Sequence, residues 1–125
     1  MLLPYRLSAF AGRSVQIGAQ PAFGEVEIDP ETGSVRIARY TAVDDVGLIV
    51  NPLLVDGQIH GGIAQGIGMA LSEAMVYDAA GQPLTGSLMD YGVPVAAELP
   101  EFIVETQATP STSNPMGVRG VGEAP

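Results

Sequence analysis

The segment from Asn51 to Tyr77 constrains the fold most, because it combines a strong helix start with many glycines. Asn51-Pro52 is typical of a helix start, with an Asn cap and Pro at the first helical position. Behind it, apolar residues recur at every fourth position, which places them along one ridge of a helix. This ridge consists of Val55, Ile59, Ile63, Ile67, Leu71 and Met75. The pattern predicts one long helix that ends at about Tyr77.

The predicted helix also carries five glycines and two glutamines, and Gly61, Gly62 and Gly68 lie near the face that the glutamines share. The glycines are Gly57, Gly61, Gly62, Gly66 and Gly68. Each costs about 1 kcal/mol relative to alanine in a helix interior, so their number indicates a use for bare backbone. Gln58 and Gln65 lie on one face near several of these glycines, and Ser72 continues it. The stripe fits either close packing through glycine or a polar ligand face. The residue pattern alone favours packing.

His60 points away from the glutamine stripe. It is the single histidine of a chain that contains no cysteine. A surface histidine, or one satisfied within the fold, is therefore favoured over a metal ligand.

Three strands are predicted around the helix. Val26 and Ile28 alternate with acidic residues from Gly24 onward, and Val35 with Ile37 continues after a turn at 29–33, so the two segments form a hairpin. A second turn is predicted at 44–47, a third strand at 101–106, and irregular structure over 84–100. The order strand–strand–helix–strand predicts an α+β fold, a hairpin and a further strand packed on the Gly-rich helix in a mixed or antiparallel sheet. We assign 1–23 as an uncertain N-terminal segment and 24–125 as part of one domain.

Composition excludes several classes of function. With 14 acidic and 5 basic residues, a nucleic-acid partner is not expected. The absence of cysteine excludes disulfides, thiolate nucleophiles and any iron–sulfur cluster held by this chain. Gly12 and Arg13 interrupt the apolar start, so no signal peptide is predicted and a cytoplasmic location is favoured. No apolar run reaches the roughly 18 residues of a membrane span.

The glycine-rich segment from Gly117 to Glu123 is the second informative feature. Its three glycines permit a tightly curved backbone. A phosphate loop requires Lys followed by Ser or Thr after the last glycine, whereas Glu123 stands there and would repel phosphate. The loop suits the presentation of one carboxylate into a confined space, where a raised pKa allows general-base chemistry. The alternative, favoured by the residue pattern alone, is an exposed tail with a solvated glutamate.

Several motifs in this order resemble the molybdopterin-binding large subunit of the xanthine dehydrogenase and aldehyde oxidase family. They are Val26–Gly33, Asp45-Val46-Gly47, Asn51-Pro52, Gly57–Gly62, Gln65–Gly68, Met89-Asp90-Tyr91, Leu99-Pro100 and Gly117–Pro125. The resemblance covers roughly residues 22–125. It reverses both preferences above, towards a ligand face on the helix and a presented carboxylate in the loop. It also implies that residues 24–125 are part of the C-terminal, second molybdopterin-binding domain of a molybdenum hydroxylase.

The resemblance implies a role for individual residues. Glu123 would be the base that takes a proton from a molybdenum-bound hydroxyl, whose water-derived oxygen is inserted at an aldehyde or N-heterocycle carbon. Gln58 would contact the cofactor, either molybdopterin or its cytosine dinucleotide form, and Gln65 is a weaker candidate. The loop backbone would pass close to the metal ligands, through Arg119, Gly120, Val121 and Gly122. Arg119 stands where many members carry lysine, which keeps the charge. No side chain is expected to bind the metal.

The resemblance also implies partners. The large subunit of this family is several times longer than the chain, and its cofactor pocket draws on an earlier half. We therefore expect the remainder of the large subunit or a partner chain, an iron–sulfur subunit with or without a flavin subunit, and a small-molecule substrate. A truncated reading frame or a split subunit would account for the length. The alternative is a non-catalytic α+β fragment or interaction module that packs on a partner subunit.

Overall fold

A computed structural model describes residues 21–122 as three strands, one long helix and one short helical turn. These elements are β1 (Ala22–Ile28), β2 (Val35–Asp45), α1 (Pro52–Leu71), a 3-10 turn (Ala96–Glu98) and β3 (Phe102–Gln107). The predicted α+β class and the order of its elements are confirmed. The predictions made for residues 1–20 and for Glu123 lie outside the described residues.

The sheet is mixed, with strand order β1-β2-β3. β1 and β2 run antiparallel, while β2 and β3 run parallel, with Tyr40 opposite Phe102 at the start of their register. A parallel pair needs a long crossover, and here the crossover contains α1. This topology carries the chain from the end of β2 into the helix and back to the same sheet.

The hairpin turn between β1 and β2 forms as the sequence predicts. Gly33 adopts a φ of 73°, and its amide donates to the carbonyl oxygen of Asp29 at 2.7 Å. The Thr32 hydroxyl donates to the Asp29 carboxylate at 2.7 Å. β1 begins at Ala22, two residues before the predicted start at Gly24.

The core lies between α1 and the second half of β2. Its buried members are Ala42, Val46, Ile59 and Ile63. Val55 and Ile67 from the helix ridge, and Phe102 from β3, pack around them half-buried. The apolar ridge predicted on the helix is thus confirmed from Val55 to Ile67.

The helix is shorter than predicted, because it ends at Leu71 and not near Tyr77. The amides of Ser72 and Glu73 both donate to the carbonyl oxygen of Gly68, at 3.0 and 2.8 Å, which turns the chain away from the helix axis. Met75, the last apolar residue of the predicted ridge, therefore lies off the helix and is 52% exposed. The four-residue spacing between Leu71 and Met75 therefore does not reflect a continued helix.

The turn predicted at 44–47 was also placed too early. Asp44 and Asp45 belong to β2, where they pair with Thr106 and Gln107 of β3. The chain reverses at Gly47, whose φ of 68° lies in the left-handed region that favours glycine. Pairing with a distant strand extends β2 beyond what its own sequence indicates.

Candidate functional site

The glycine loop lies against the first half of α1. A Cβ atom placed on Gly122 would be 3.3 Å from Nε2 of Gln58. Val121 is half-buried and packs on the core cluster. The structure thus brings together the helix face and the loop, the two segments that the sequence singles out.

A short β-bridge attaches the loop to the end of β2. Gly47 pairs with Val118, the amide of Leu48 donates to the Gly117 carbonyl at 2.9 Å, and the amide of Arg119 donates to the Val46 carbonyl at 3.1 Å. A Cβ atom on Gly47 would lie 2.5 Å from the oxygen of Gly117, closer than real Cβ contacts allow. Glycine at position 47 is therefore required both by its φ and by the closeness of the loop.

Asn114 closes the loop from the other side. Its Nδ2 donates to the carbonyl of Val118 at 2.9 Å, and its Oδ1 accepts from the amide of the same residue at 3.2 Å. The amide of Gly117 donates to the carbonyl of Asn114 at 3.1 Å, and Gly117 has a φ of 67°. These contacts fix the backbone at 114–119 before it reaches Gly120.

Asp45 ties three parts of the site together. Its Oδ1 accepts from the amides of Gly47 and Thr109, both at 3.1 Å, and its Oδ2 lies 3.8 Å from Nη2 of Arg119. The Nε atom of Arg119 donates to the carbonyl of Thr109 at 3.3 Å. Burial opposes the charge of Asp45, but the two amides and Arg119 outweigh it, so the pKa of its carboxyl lies below the ordinary value.

The residues predicted for the site occupy different environments. Gln58 is exposed beside Gly122, while Gly120 has open space where a side chain would be. The Arg119 side chain turns back to Asp45 and Thr109, so a contact with a cofactor is left to its backbone. Glu123 follows Gly122 directly and lies outside the described residues. The roles assigned to these residues stay predictions.

The helix glycines divide into two kinds. A Cβ atom on Gly57, Gly61 or Gly66 would meet nothing within 4 Å outside the helix backbone nearby. A Cβ atom on Gly68 would instead lie 2.7 Å from the ring of Pro94. Packing through glycine, the first of the two predicted uses, thus applies at Gly68, where the partner is a loop of the same chain.

His60 packs its ring edge-on against Phe102, with the ring centroids 5.7 Å apart. Over residues 21–122, His, Asp and Glu side chains form no group of three or more that could hold a metal ion. No helix in this range has the length and apolarity needed to cross a membrane.

Sequence reasoning missed the residues that hold the loop. Asp45-Val46-Gly47 carries the local pattern of an Asx turn, and Asn114-Pro115 also favours a turn, so both acceptors were visible in the sequence. Their partners were not, because Thr109 and Arg119 reach Asp45 only through the fold. Here the sequence marks Asp45 and Asn114, whereas the structure alone identifies the donors that bind Asp45.

Comparisons with known proteins identify the family of this chain. Residues 8–100 match the family model of the molybdopterin cofactor-binding domain. The carbon monoxide dehydrogenase large chain of Hydrogenophaga pseudoflava is 42% identical over 100 residues, which are 80% of this chain and 12% of that protein. The nicotine 6-hydroxylase large subunit of Paenarthrobacter nicotinovorans is 46% identical over 99 residues, which are 79% of this chain and 12% of that protein.

A solved structure agrees with these relatives. The quinoline 2-oxidoreductase of Pseudomonas putida 86 superposes with a TM-score of 0.79 and 43% identity, over 82% of this chain and 13% of that one. The chain thus spans about an eighth of the length of the relatives that it matches. The resemblance seen in the motifs is confirmed by sequence and by fold. The chain belongs to the molybdopterin cofactor-binding domain family, among the molybdenum hydroxylase large subunits related to xanthine dehydrogenase and aldehyde oxidase.

Proposed function

We propose that this chain supplies one part of the cofactor site and the general base of a molybdenum hydroxylase. The reaction would insert a water-derived oxygen at the carbon of an aldehyde or an N-heterocycle. The observation that carries the proposal is the contact between Gln58 and Gly122, which places the helix face beside the residue that precedes Glu123. It is supported by relatives whose names include a nicotine hydroxylase and a quinoline oxidoreductase.

The residues of the helix face fit a molybdopterin cofactor. The Gln58 side chain offers both a donor and an acceptor, as a pterin with polar ring edges requires. Gly57, Gly61 and Gly120 leave bare backbone, with nothing within 4 Å of where a side chain would begin, so a flat ligand can approach closely. When bound, the cofactor supplies the oxygen-transfer and redox chemistry, while the protein binds and orients it.

Glu123 is the proposed base. It is the next residue after Gly122, and the loop that leads to it is anchored by the bridge to Gly47 and by Asn114. A carboxylate enclosed between a protein loop and a bound cofactor loses water, which raises its pKa and allows it to hold a proton near neutral pH. The remaining loop residues need only hold the carboxylate close to the cofactor. Gly120 and Gly122, on either side of Val121, carry no side chain that would block this approach.

The chain would act together with partners. It spans about an eighth of its relatives, so the remaining walls of the pocket must come from the rest of a large subunit or from a separate polypeptide. Relatives named large chain, large subunit and complex subunit gamma point to assemblies of several subunits. We propose an iron–sulfur subunit, with or without a flavin subunit, as electron acceptor, and a cytoplasmic location.

A second candidate is an interaction module without catalytic activity. It is favoured by the apolar surface, because Leu53, Leu88 and Met89 are 78%, 84% and 95% exposed. A groove of about 380 Å³ between the hairpin and α1 is lined by Val26, Ile37 and Ile67, among other apolar residues. Surface of this kind marks a contact with another protein. In the first proposal the same surface would contact the rest of the large subunit.

Molybdenum content separates the two candidates. The full chain is expressed alone, and also together with a relative's large subunit from which the matching segment is deleted, in a host that makes the cofactor. The first proposal expects molybdenum near one atom per chain in the reassembled protein, and hydroxylase activity with it. Reassembly without molybdenum would contradict that proposal and favour the interaction module.

The role of Glu123 is tested in the same reassembled protein. Glu123→Gln keeps the shape of the side chain and removes the base, so we expect turnover to fall by about 10²–10⁴-fold while molybdenum stays bound. The control is Glu105→Gln, which makes the same change at an exposed position of β3 and should leave turnover intact. Equal turnover for the two variants would exclude Glu123 as the base.

A further inference from the structure

The position of the loop end is not set by the backbone bridge alone. Within residues 21–122, the last backbone hydrogen bond along the loop is the one from the amide of Arg119 to Val46. Beyond it, Gly120 and Gly122 have the widest conformational choice of any residue. Between these two glycines, Val121 packs half-buried on the core cluster. The direction in which Gly120–Gly122 leaves the bridge therefore depends on this packing and on how Arg119 is held.

Arg119 is held by its side chain as well as by its amide. The guanidinium lies between the Asp45 carboxylate, 3.8 Å from Nη2, and the Thr109 carbonyl, 3.3 Å from Nε. Asp45 in turn is oriented by the amides of Gly47 and Thr109. The carboxylate thus connects the end of β2, the segment after β3 and the loop, although it is not part of the buried core.

We propose that Asp45 is a positioning residue that acts through Arg119. Together they set the direction of Gly120–Gly122 and keep the chain that leads to Glu123 beside Gln58. The effect on catalysis rests on the proposed function, whereas the effect on the loop does not. Asp45 would affect the reaction only indirectly, because it sets the position of the loop.

Four substitutions separate charge from hydrogen bonding. Asp45→Asn keeps an oxygen for the two amides and removes the charge that faces Arg119, and Asp45→Ala removes both. Arg119→Gln removes the charge from the other partner, while Arg119→Lys keeps it. The control is Arg36→Gln, which breaks the exposed pair with Glu27 on the hairpin, away from the loop.

The first measurement is by NMR on the full 125-residue chain. The reporter is the nuclear Overhauser contact between the Gly122 α-protons and the Gln58 side-chain amide. Amide exchange at Ile59, which is 1% exposed, reports whether the core is intact. We expect the contact in the wild type, in Arg36→Gln and in Arg119→Lys, a weaker contact in Asp45→Asn, and none in Asp45→Ala or Arg119→Gln, with Ile59 protected throughout.

An unchanged contact in both Asp45→Ala and Arg119→Gln overturns the inference. If Asp45→Ala also loses protection at Ile59, the loss of its Gln58–Gly122 contact reflects unfolding. In that case Arg119→Gln and Asp45→Asn decide whether the ion pair positions the loop. Restoration by lysine at position 119 separates positioning by charge from a general packing role, because lysine keeps the charge but not the planar fork.

The second measurement is kinetic, in the reassembled hydroxylase. Misplacement by about 1 Å can cost about 100-fold in rate, so Arg119→Gln should lower kcat by about 10- to 100-fold with KM unchanged. A lost Gln58–Gly122 contact with normal kcat would leave Asp45 as the residue that positions the loop and would contradict the role of Glu123. A retained contact would overturn the inference whatever kcat does.

Discussion

The two ends of α1 use glycine for opposite reasons. At the C-terminal end, Gly68 is buried, and the ring of Pro94 lies where its side chain would be. Towards the N-terminal end, Gly57 and Gly61 face open space, as Gly66 also does, and Gln58 meets the glycine loop. The first end is filled by the chain's own 92–94 segment, while the second is left bare. One helix thus combines a closed packing site with an open face.

This difference shows why residue type alone does not reveal the role of a glycine. In sequence, Gly61 and Gly68 belong to the same stripe and carry the same helix penalty. What separates them is a proline far along the chain, together with Gly92, where a Cβ atom would lie 2.7 Å from the carbonyl oxygen of Ser72. Packing within the described residues therefore explains the glycine at the closed end. The glycines at the open end have no such contact, so we expect a ligand or another chain to pack against them.

The largest expected effect is at the closed end, for Gly68→Ala. The new methyl would lie 2.7 Å from two ring carbons of Pro94 and 2.6 Å from Oε1 of Glu73. The glutamate can move, but the proline ring cannot do so without shifting the 92–94 backbone, and such overpacking costs about 1–3 kcal/mol. That loss exceeds the helix gain of alanine, so the melting temperature should fall by several degrees in a thermal denaturation. An unchanged melting temperature would mean that the closed end is loosely packed.

A smaller loss is expected for Tyr91→Phe, which removes the hydrogen bond that the tyrosine hydroxyl donates to Glu73 at 2.7 Å. This bond helps to hold the segment that covers Gly68. The bond to Glu73, with burial and the glutamate charge, raises the pKa of Tyr91 above its ordinary value. The stabilising contribution is therefore complete below about pH 10 and is lost as pH rises through the raised pKa.

The measurement for Tyr91 is denaturant unfolding across alkaline pH. The difference in stability between wild type and Tyr91→Phe should be constant at neutral pH and should shrink above about pH 10. A difference that is independent of pH would assign the role of Tyr91 to the packing of its ring and not to its hydroxyl.

The opposite sign is expected at the open end, for Gly61→Ala. Nothing lies within 4 Å of the new methyl apart from the helix's own nearby backbone, so the helix should gain up to about 1 kcal/mol. If the bare backbone serves the cofactor, the more stable variant should also retain less molybdenum after reassembly. A variant that is more stable and keeps its molybdenum would remove Gly61 from the ligand face.

The parts of the fold that local chemistry determines could be predicted from the sequence. Asn51 caps α1 through its side chain, which accepts from the amide of Leu54 at 3.3 Å, and the hairpin turn closes on Asp29 and Gly33. The helix end could not be predicted, because the apolar spacing continues to Met75 although the amides of Ser72 and Glu73 already turn back to Gly68. The length of β2 could not be predicted, because it depends on pairing with β3. Local patterns thus indicate the helix start and the hairpin turn, whereas pairing with a distant strand determines where β2 ends.

The candidate site divides in the same way. Gln58 and the loop residues were found through the resemblance of their motifs, and the structure places Gln58 beside Gly122. The connection from Asp45 to Arg119 was not found, because neither residue type nor spacing predicts an ion pair between a strand end and a loop. The role of Glu123 stays a prediction, and it depends on the loop that this connection holds.

The smallest effect on stability, and the sharpest test of the open face, comes from its two glutamines. Both Gln58 and Gln65 are exposed, so replacing either with alanine should change the stability by no more than about 0.5 kcal/mol. Their positions differ, since the amide of Gln58 lies beside Gly122 at the glycine loop. We therefore expect Gln58→Ala to lower the molybdenum content of the reassembled protein and Gln65→Ala to leave it nearly unchanged, as measured by elemental analysis. An equal loss of molybdenum in both variants would mean that the ligand face extends along the helix to Gln65. No loss of molybdenum in either variant would favour a protein partner, and not the cofactor, at the open end.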